Sequence, residues 1–149
     1  MISFDPDARQ VEVVCEGIVE TTDTFGVIGQ HGGFAPLWYF SRSTAHTRPG
    51  PHIRNLVKGL GRDGADVARL HALSAAILEA TPYAIGRTDV ATQAEQVMEA
   101  GHGVCQDHAH VFVTAARLMG FPARYVSGYL LMDDRVEQDA GHAWAEAHV

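Results

Sequence analysis

Cysteine is scarce in this chain: two in 149 residues, Cys15 and Cys105. A pair so far apart provides no disulfide framework, and both thiols are expected to be reduced. Positive charge is scarce as well. The 11 Lys and Arg against 18 Asp and Glu leave a formal net charge of -7. That balance excludes a general binder of phosphate backbones, which depends on clustered cations, so no nucleic-acid partner is expected. No apolar run approaches the roughly 20 residues of a membrane span, and "ISFDPDARQVE" after Met1 has neither the basic nor the apolar region of a secretory leader. Internal repeats and low-complexity segments are also missing. These absences point to a soluble, cytoplasmic protein with no membrane partner. What is present is ordinary: 46% hydrophobic and 19% charged residues, enough for one domain with a real core and too short a chain for two well-buried ones.

Along the chain, "VEVVCEGIV" at 11–19 is rich in β-branched residues and predicts a strand, with Cys15 as a small buried hydrophobe inside it and "TTDTFG" as the following turn. Residues 29–52 carry glycine, proline and aromatics without a period and predict a covering loop, with one short strand at "LWYF". Val67, Leu70, Leu73, Ile77 and Leu78 then fall at helical spacing until "TPY" at 81–83 stops the run, and a shorter helix is predicted from about Thr92 to Ala100, ended by Gly101. A third stripe (Ala109, Phe112, Ala116, Met119) begins just after "GHG" and ends at "GFP", 120–122. "ARYVSGYLLM" at 123–132 predicts a strand, "DDRVEQDAG" at 133–141 an acidic loop, and "HAWAEAHV" at 142–149 a second strand. Helices first and strands last predict an α+β fold.

The stretch "GHGVCQDHAHVF", 101–112, places Cys105 in the first turn of the third helix. Helix starts leave amide N–H groups unpaired and carry partial positive charge, so they favour an anion. For cysteines in general, such a site, above all beside an imidazolium, lowers the thiol pKa from about 8.5 towards roughly 3.5–7.5 and makes a nucleophile. The same amides can hold an acyl oxyanion. Gly103 lets backbone and substrate approach closely, which makes Gly103 and Val104 candidate substrate-binding residues. A histidine should serve as base. His108 lies three residues on along the same helix, whereas His142 opens a strand that a hairpin would hold on a sheet against which the Cys105 helix packs. His142 is the preferred candidate. Trp144 and Tyr129 are candidates to line an acyl-donor cleft, although aromatic residues on strands more often serve the core.

Taken together, "GVCQDHAHVFVTAARLMGFPARYVSGYL" and "GHAWAEAHV" resemble the core of the bacterial transglutaminase-like proteins. The resemblance implies a papain-like cysteine–histidine–aspartate arrangement. It is strongest over 92–149, weaker over 63–80 and thin before that. It implies Cys105 as nucleophile and His142 as general base, a helix bearing the cysteine packed on an antiparallel sheet bearing the histidine, and a cysteine peptidase, amidase or acyl transferase acting on a peptide or protein amide. No cofactor and no metal are expected. The family's third residue, usually an aspartate on the next strand, has no counterpart before Val149. Asp133, Asp134, Asp139 and Glu146 are unconvincing substitutes. The expectation is therefore an excised fragment: residues 1–45 as the remnant of an N-terminal β region plus covering loop, and 46–149 as an incomplete core domain with truncated C-terminal strands. Its activity should be weak, and its exposed terminal strand should self-associate.

Two other readings compete. The fragment serves only as a folded binding or assembly module, or Cys105 and His108, three residues apart on one helix, hold zinc with His102, His110, His142 or His148 completing the ligands. The acidic loop lacks the ligand spacing and central glycine of an EF-hand and is expected to be solvated.

Overall fold

A computed structural model of the protein describes residues 9–12, 14, 16–132 and 141–149. The chain divides into two compact units, residues 1–32 and 33–149. In the first, the described residues of the strand expected at 11–19 form no regular structure, and Val11, Val14, Ile18 and Val19 are exposed. A lone extended segment has no ladder partner and no second apolar face to cover it, so β-branched composition alone does not make it a strand. Cys15 lies outside the described residues. The turn expected at 21–26 does form: Asp23 Oδ1 accepts from the Phe25 amide at 2.8 Å and Val27 N–H donates to Thr24 O at 3.0 Å.

The second unit is built around helices. Helix α1, Pro51–Leu60, was not expected from the sequence. Its Ile53, Leu56, Val57 and Leu60 recur at helical spacing and reach the core, and Pro51 sits in the first turn, where its missing N–H costs nothing. A carboxylate from another helix caps it. Glu95 accepts from the amides of His52 (2.6 Å), Gly50 (2.9 Å) and Ile53 (3.3 Å) and pairs with His52 Nδ1 at 2.9 Å. Burial works to raise the Glu95 pKa, but these donors outweigh it and hold the carboxyl below its ordinary value. Helices α2, Asp66–Ala80, and α3, Ala94–Ala100, follow where the sequence placed them. Gly101 ends α3 in the left-handed conformation (φ 68°), with its N–H on Val97 O.

Helix α4, Cys105–Leu118, is the hub, with Asp107, Ala109, Val111, Val113, Thr114, Ala115 and Ala116 all buried. A helix apolar nearly all round has neighbours on most sides. Here α1, α2, α3 and both strands pack against it, and the alanines allow the close approach.

Strands β1, Ala123–Gly128, and β2, His142–Ala147, pair antiparallel from Ala123↔Ala147 to Gly128↔His142. The strand expected over 123–132 is thus shorter than its apolar run. Among the described residues the sheet has two strands, and residues 133–140 of the expected acidic loop lie outside them. The "LWYF" segment is not a strand but part of a 3-10 turn, Leu37–Ser41, with no strand partner to extend it.

Arg117 anchors this covering segment. Its Nε donates to Phe40 O (2.6 Å) and Ala123 O (3.1 Å), Nη1 to Thr47 Oγ1 (2.9 Å) and Nη2 to Ala123 O (2.8 Å). Burial lowers its pKa. Among the described residues no helix is long and apolar enough to cross a membrane.

Candidate active site

Cys105 is the first residue of α4 and is partly exposed. Val104 precedes it in extended conformation (φ -112°, ψ -177°), so the chain turns sharply into the helix there. Asp107 secures the turn: its Oδ2 accepts from the Val104 amide at 2.8 Å and from Thr88 Oγ1 at 2.6 Å. The carboxylate is wholly buried, and its Oδ1 has no hydrogen-bond partner. Placing that charge at a helix start sets it against the partial positive end of the peptide dipoles.

Gly103 makes the arrangement possible. A Cβ there would lie 2.7 Å from Asp107 Cβ and 3.1 Å from both Asp107 Oδ2 and Val97 Cγ1. Gly103 is itself buried and is stitched to the preceding loop, its N–H on Pro82 O at 3.3 Å and its carbonyl accepting from Ala84 at 2.9 Å. His108 adds a third tie through Nε2 to Thr81 O at 2.7 Å. The sulfur therefore rides on a turn fixed from both sides, while the amides of Cys105, Gln106 and Asp107 lack intrahelical acceptors and can meet an anion.

His142 opens β2 opposite Gly128. Ala143, Ala145 and Ala147 alternate into or against the core, so His142, Trp144 and Glu146 take the other parity. The Trp144 ring lies over Gly128, and its centroid is 6.3 Å from that of His142. Trp144 is 40% exposed and Tyr129, just beyond β1, 88% exposed. Helix α4 packs on β2, which brings the elements carrying the thiol and the imidazole together. No hydrogen bond joins Cys105 to His142, and among the described residues no carboxylate bonds His142. Of the substitutes weighed from sequence, Asp133, Asp134 and Asp139 lie outside the described residues, and Glu146 is engaged by Arg124 at 2.6 Å.

The other histidines take packing roles. His110 stacks on His46 (centroids 5.2 Å apart, planes at 11°) and on Tyr125 (4.8 Å, 19°). Burial and the neighbouring His46 push the His110 pKa down, opposed by Asp107. Among the described residues no group of three or more His, Cys, Asp and Glu side chains is placed to hold a metal, so the cluster required by the zinc reading is not assembled there. His46 and Tyr125 were not singled out in the sequence. Tyr125 was recognisable only as an alternate strand position, and nothing local marks His46.

Residues 54–149 match the model of the transglutaminase-like superfamily, and the chain belongs to that superfamily. Uncharacterised proteins of Mycobacterium tuberculosis and Mycobacterium bovis are 44% identical over 69 residues, 42% of this chain and 22% of theirs. One from Mycobacterium leprae is 37% identical over 70 residues, 44% of this chain and 25% of its own. The crystal structure of a proposed cysteine protease from Cytophaga hutchinsonii superposes with a TM-score of 0.65 at 24% identity, over 74% of this chain and 37% of that one. The likeness establishes the α+β, papain-like transglutaminase fold. The matches thus span between a fifth and two-fifths of the relatives' lengths.

Proposed function

We propose that the chain carries out thiol acyl chemistry on amide or peptide bonds, as a cysteine peptidase, amidase or acyl transferase, with Cys105 as nucleophile and His142 as its acid–base partner. The observation that carries this reading is the placement of a partly exposed cysteine at the first residue of a buried helix whose turn is fixed by Asp107. Membership of the superfamily supports it, as does a sheet beside that helix with a histidine at its second strand's start.

In this reading Cys105 sulfur attacks the carbonyl carbon, the first-turn amides take up the charge on oxygen, and His142 as imidazolium gives its proton to the leaving amine. A thioacyl enzyme results. Water then yields an acid and amine attack a new amide. No hydrogen bond joins the two side chains, and His142 takes the parity opposite to Ala143 and Ala145, so this reading requires the start of β2 to turn His142 towards the thiol. Trp144 and Tyr129, both exposed, are the surfaces on which the acyl donor would rest, and Gly103 and Val104 shape the backbone beside the sulfur.

The test is to trap the thioacyl intermediate. Incubation with an activated ester should add the acyl mass to the Cys105 peptide, hydroxylamine should remove it, C105A should not acquire it, and H142A should acquire it at least about a hundredfold more slowly, as loss of a general base predicts. Acylation at equal rates in H142A would remove His142 from the mechanism. A chain that never acylates at Cys105 would favour the binding-module reading, to which the missing Cys105–His142 bond already gives some support.

A further inference from the structure

The loop between α2 and α3 is bound to the start of α4 along most of its length. Tyr83 pairs in parallel with Gly103, whose N–H donates to Pro82 O at 3.3 Å and whose carbonyl accepts from the Ala84 amide at 2.9 Å. His108 Nε2 lies 2.7 Å from Thr81 O, Thr88 Oγ1 donates to Asp107 Oδ2 at 2.6 Å, and Gln106 Nε2 donates to Asp89 O at 3.4 Å. Gly103, Gln106, Asp107 and His108 are all within three residues of Cys105. The loop is therefore a fixed wall beside the turn that carries the sulfur.

What this wall turns outward is apolar. Its Thr88 hydroxyl and Asp89 carbonyl face α4, whereas Tyr83 is 55% exposed and Ile85 and Val90 are 81% exposed each. A solvated loop has the reverse arrangement. Local structure does not account for Ile85 and Val90 either. Ile85 lies in a turn with Gly86, which takes the left-handed conformation (φ 74°). Val90 lies in a turn that Asp89 builds, its Oδ1 accepting from the Ala91 amide at 2.9 Å and its carbonyl from Thr92 N–H at 3.1 Å. Such turns favour small and polar residues and gain nothing from β-branched ones. Nor do Ile85 and Val90 belong to the core. The wall is close to neutral as well: "TPYAIG" at 81–86 has no charge, and Arg87 and Asp89 offset each other.

Resting on the assignment of Cys105 as nucleophile, we propose that Ile85 and Val90 are specificity-determining residues that receive an uncharged, apolar side chain of the acyl donor, next to the carbonyl that Cys105 attacks. Tyr83, held edge-on to His108 with ring centroids 6.2 Å apart, continues the same surface. A donor side chain laid against it removes apolar area from water on both partners. The substrate class that follows is a peptide or amide with a Leu-like group beside the scissile carbonyl, in preference to glycine or a charged residue.

Two activated esters test this, the p-nitrophenyl esters of N-acetyl-leucine and N-acetyl-glycine. Acylation is read as p-nitrophenol release above the C105A background, each rate divided by that of the same ester with N-acetylcysteine. Wild type should favour the leucyl ester at least about tenfold, the order of discrimination an apolar side chain gives. The double variant I85S/V90S, altered only at exposed positions, should lower that ratio at least about threefold. Its iodoacetamide labelling at Cys105 should match wild type, which shows that the turn and thiol are intact. A wild type without leucyl preference, or a preference unchanged in I85S/V90S, would overturn the proposal and leave the nucleophile standing. A ratio unmoved while I85S/V90S alters self-association in light scattering would also overturn it, and would give these side chains to contact between copies. Wild type indistinguishable from C105A with both esters would sink the nucleophile and the proposal together.

Discussion

Substituting Gly103 by alanine adds one methyl group at the most crowded point of the site. The new Cβ would lie 2.7 Å from Asp107 Cβ and 3.1 Å from Asp107 Oδ2 and Val97 Cγ1. None of these is the free end of a flexible side chain. Asp107 is wholly buried and held by Val104 and Thr88, and Val97 has no exposed surface. Forcing a methyl into such packing costs about 1–3 kcal/mol. If Asp107 gives way, the charge-assisted bond to the Val104 amide goes with it, a further loss of about 1.5 kcal/mol or more. The expected total is about 2.5–4.5 kcal/mol, which lowers a urea midpoint by roughly 1–2 M at an m value of about 2 kcal/mol/M. Because the damage falls on the turn that carries Cys105, labelling of that thiol should slow as well. G59A is the control. Gly59 lies in α1, and a Cβ there meets nothing within 4 Å, so the same change should stabilise by about 0.5–1 kcal/mol. A G103A protein within about 0.5 kcal/mol of wild type would show that Asp107 and Val97 are not fixed as described.

Other outcomes follow from single contacts. The Glu95 carboxyl is held below its ordinary value despite burial, so its contribution is fully present above pH 4.5 or so and is lost as pH falls through the lower folded value; E95Q should be about 1–2 kcal/mol less stable at pH 7 and lack that acid-side decline in urea titrations. R117M would remove the Arg117 bonds to Phe40 O, Ala123 O and Thr47 Oγ1, at a cost of about 3 kcal/mol by thermal denaturation and with faster proteolysis near 37–47. The outer edge of β2 has no strand partner among the described residues. Concentration-dependent self-association is expected there, measured by size exclusion with light scattering; a strict monomer at every concentration would contradict it.

Much of the helical unit was legible because its signals are local. The stripe from Leu70 to Leu78, the stop at Gly101 and the glycine and proline after α4 each act within a few residues, and α2 to α4 lie where those signals put them. Helix α1 carried the same kind of stripe, but surrounding glycine and prolines obscured it, and the Glu95 cap that completes its start comes from 45 residues away. The segments at 11–19 and 37–40 show the converse. Strand formation depends on a partner, which composition does not reveal. At the site, the position of Cys105 at a helix start could be read from the spacing, whereas the column of His46, His110 and Tyr125 joins three distant segments and could not.

The central claim is that Cys105 is an activated nucleophile and Cys15 an ordinary thiol. Competitive alkylation of the intact chain with iodoacetamide near pH 6.5, resolved by mass spectrometry into the two cysteine peptides, tests it most directly. Cys105 should label at least about tenfold faster. Equal, slow labelling of both would contradict the account.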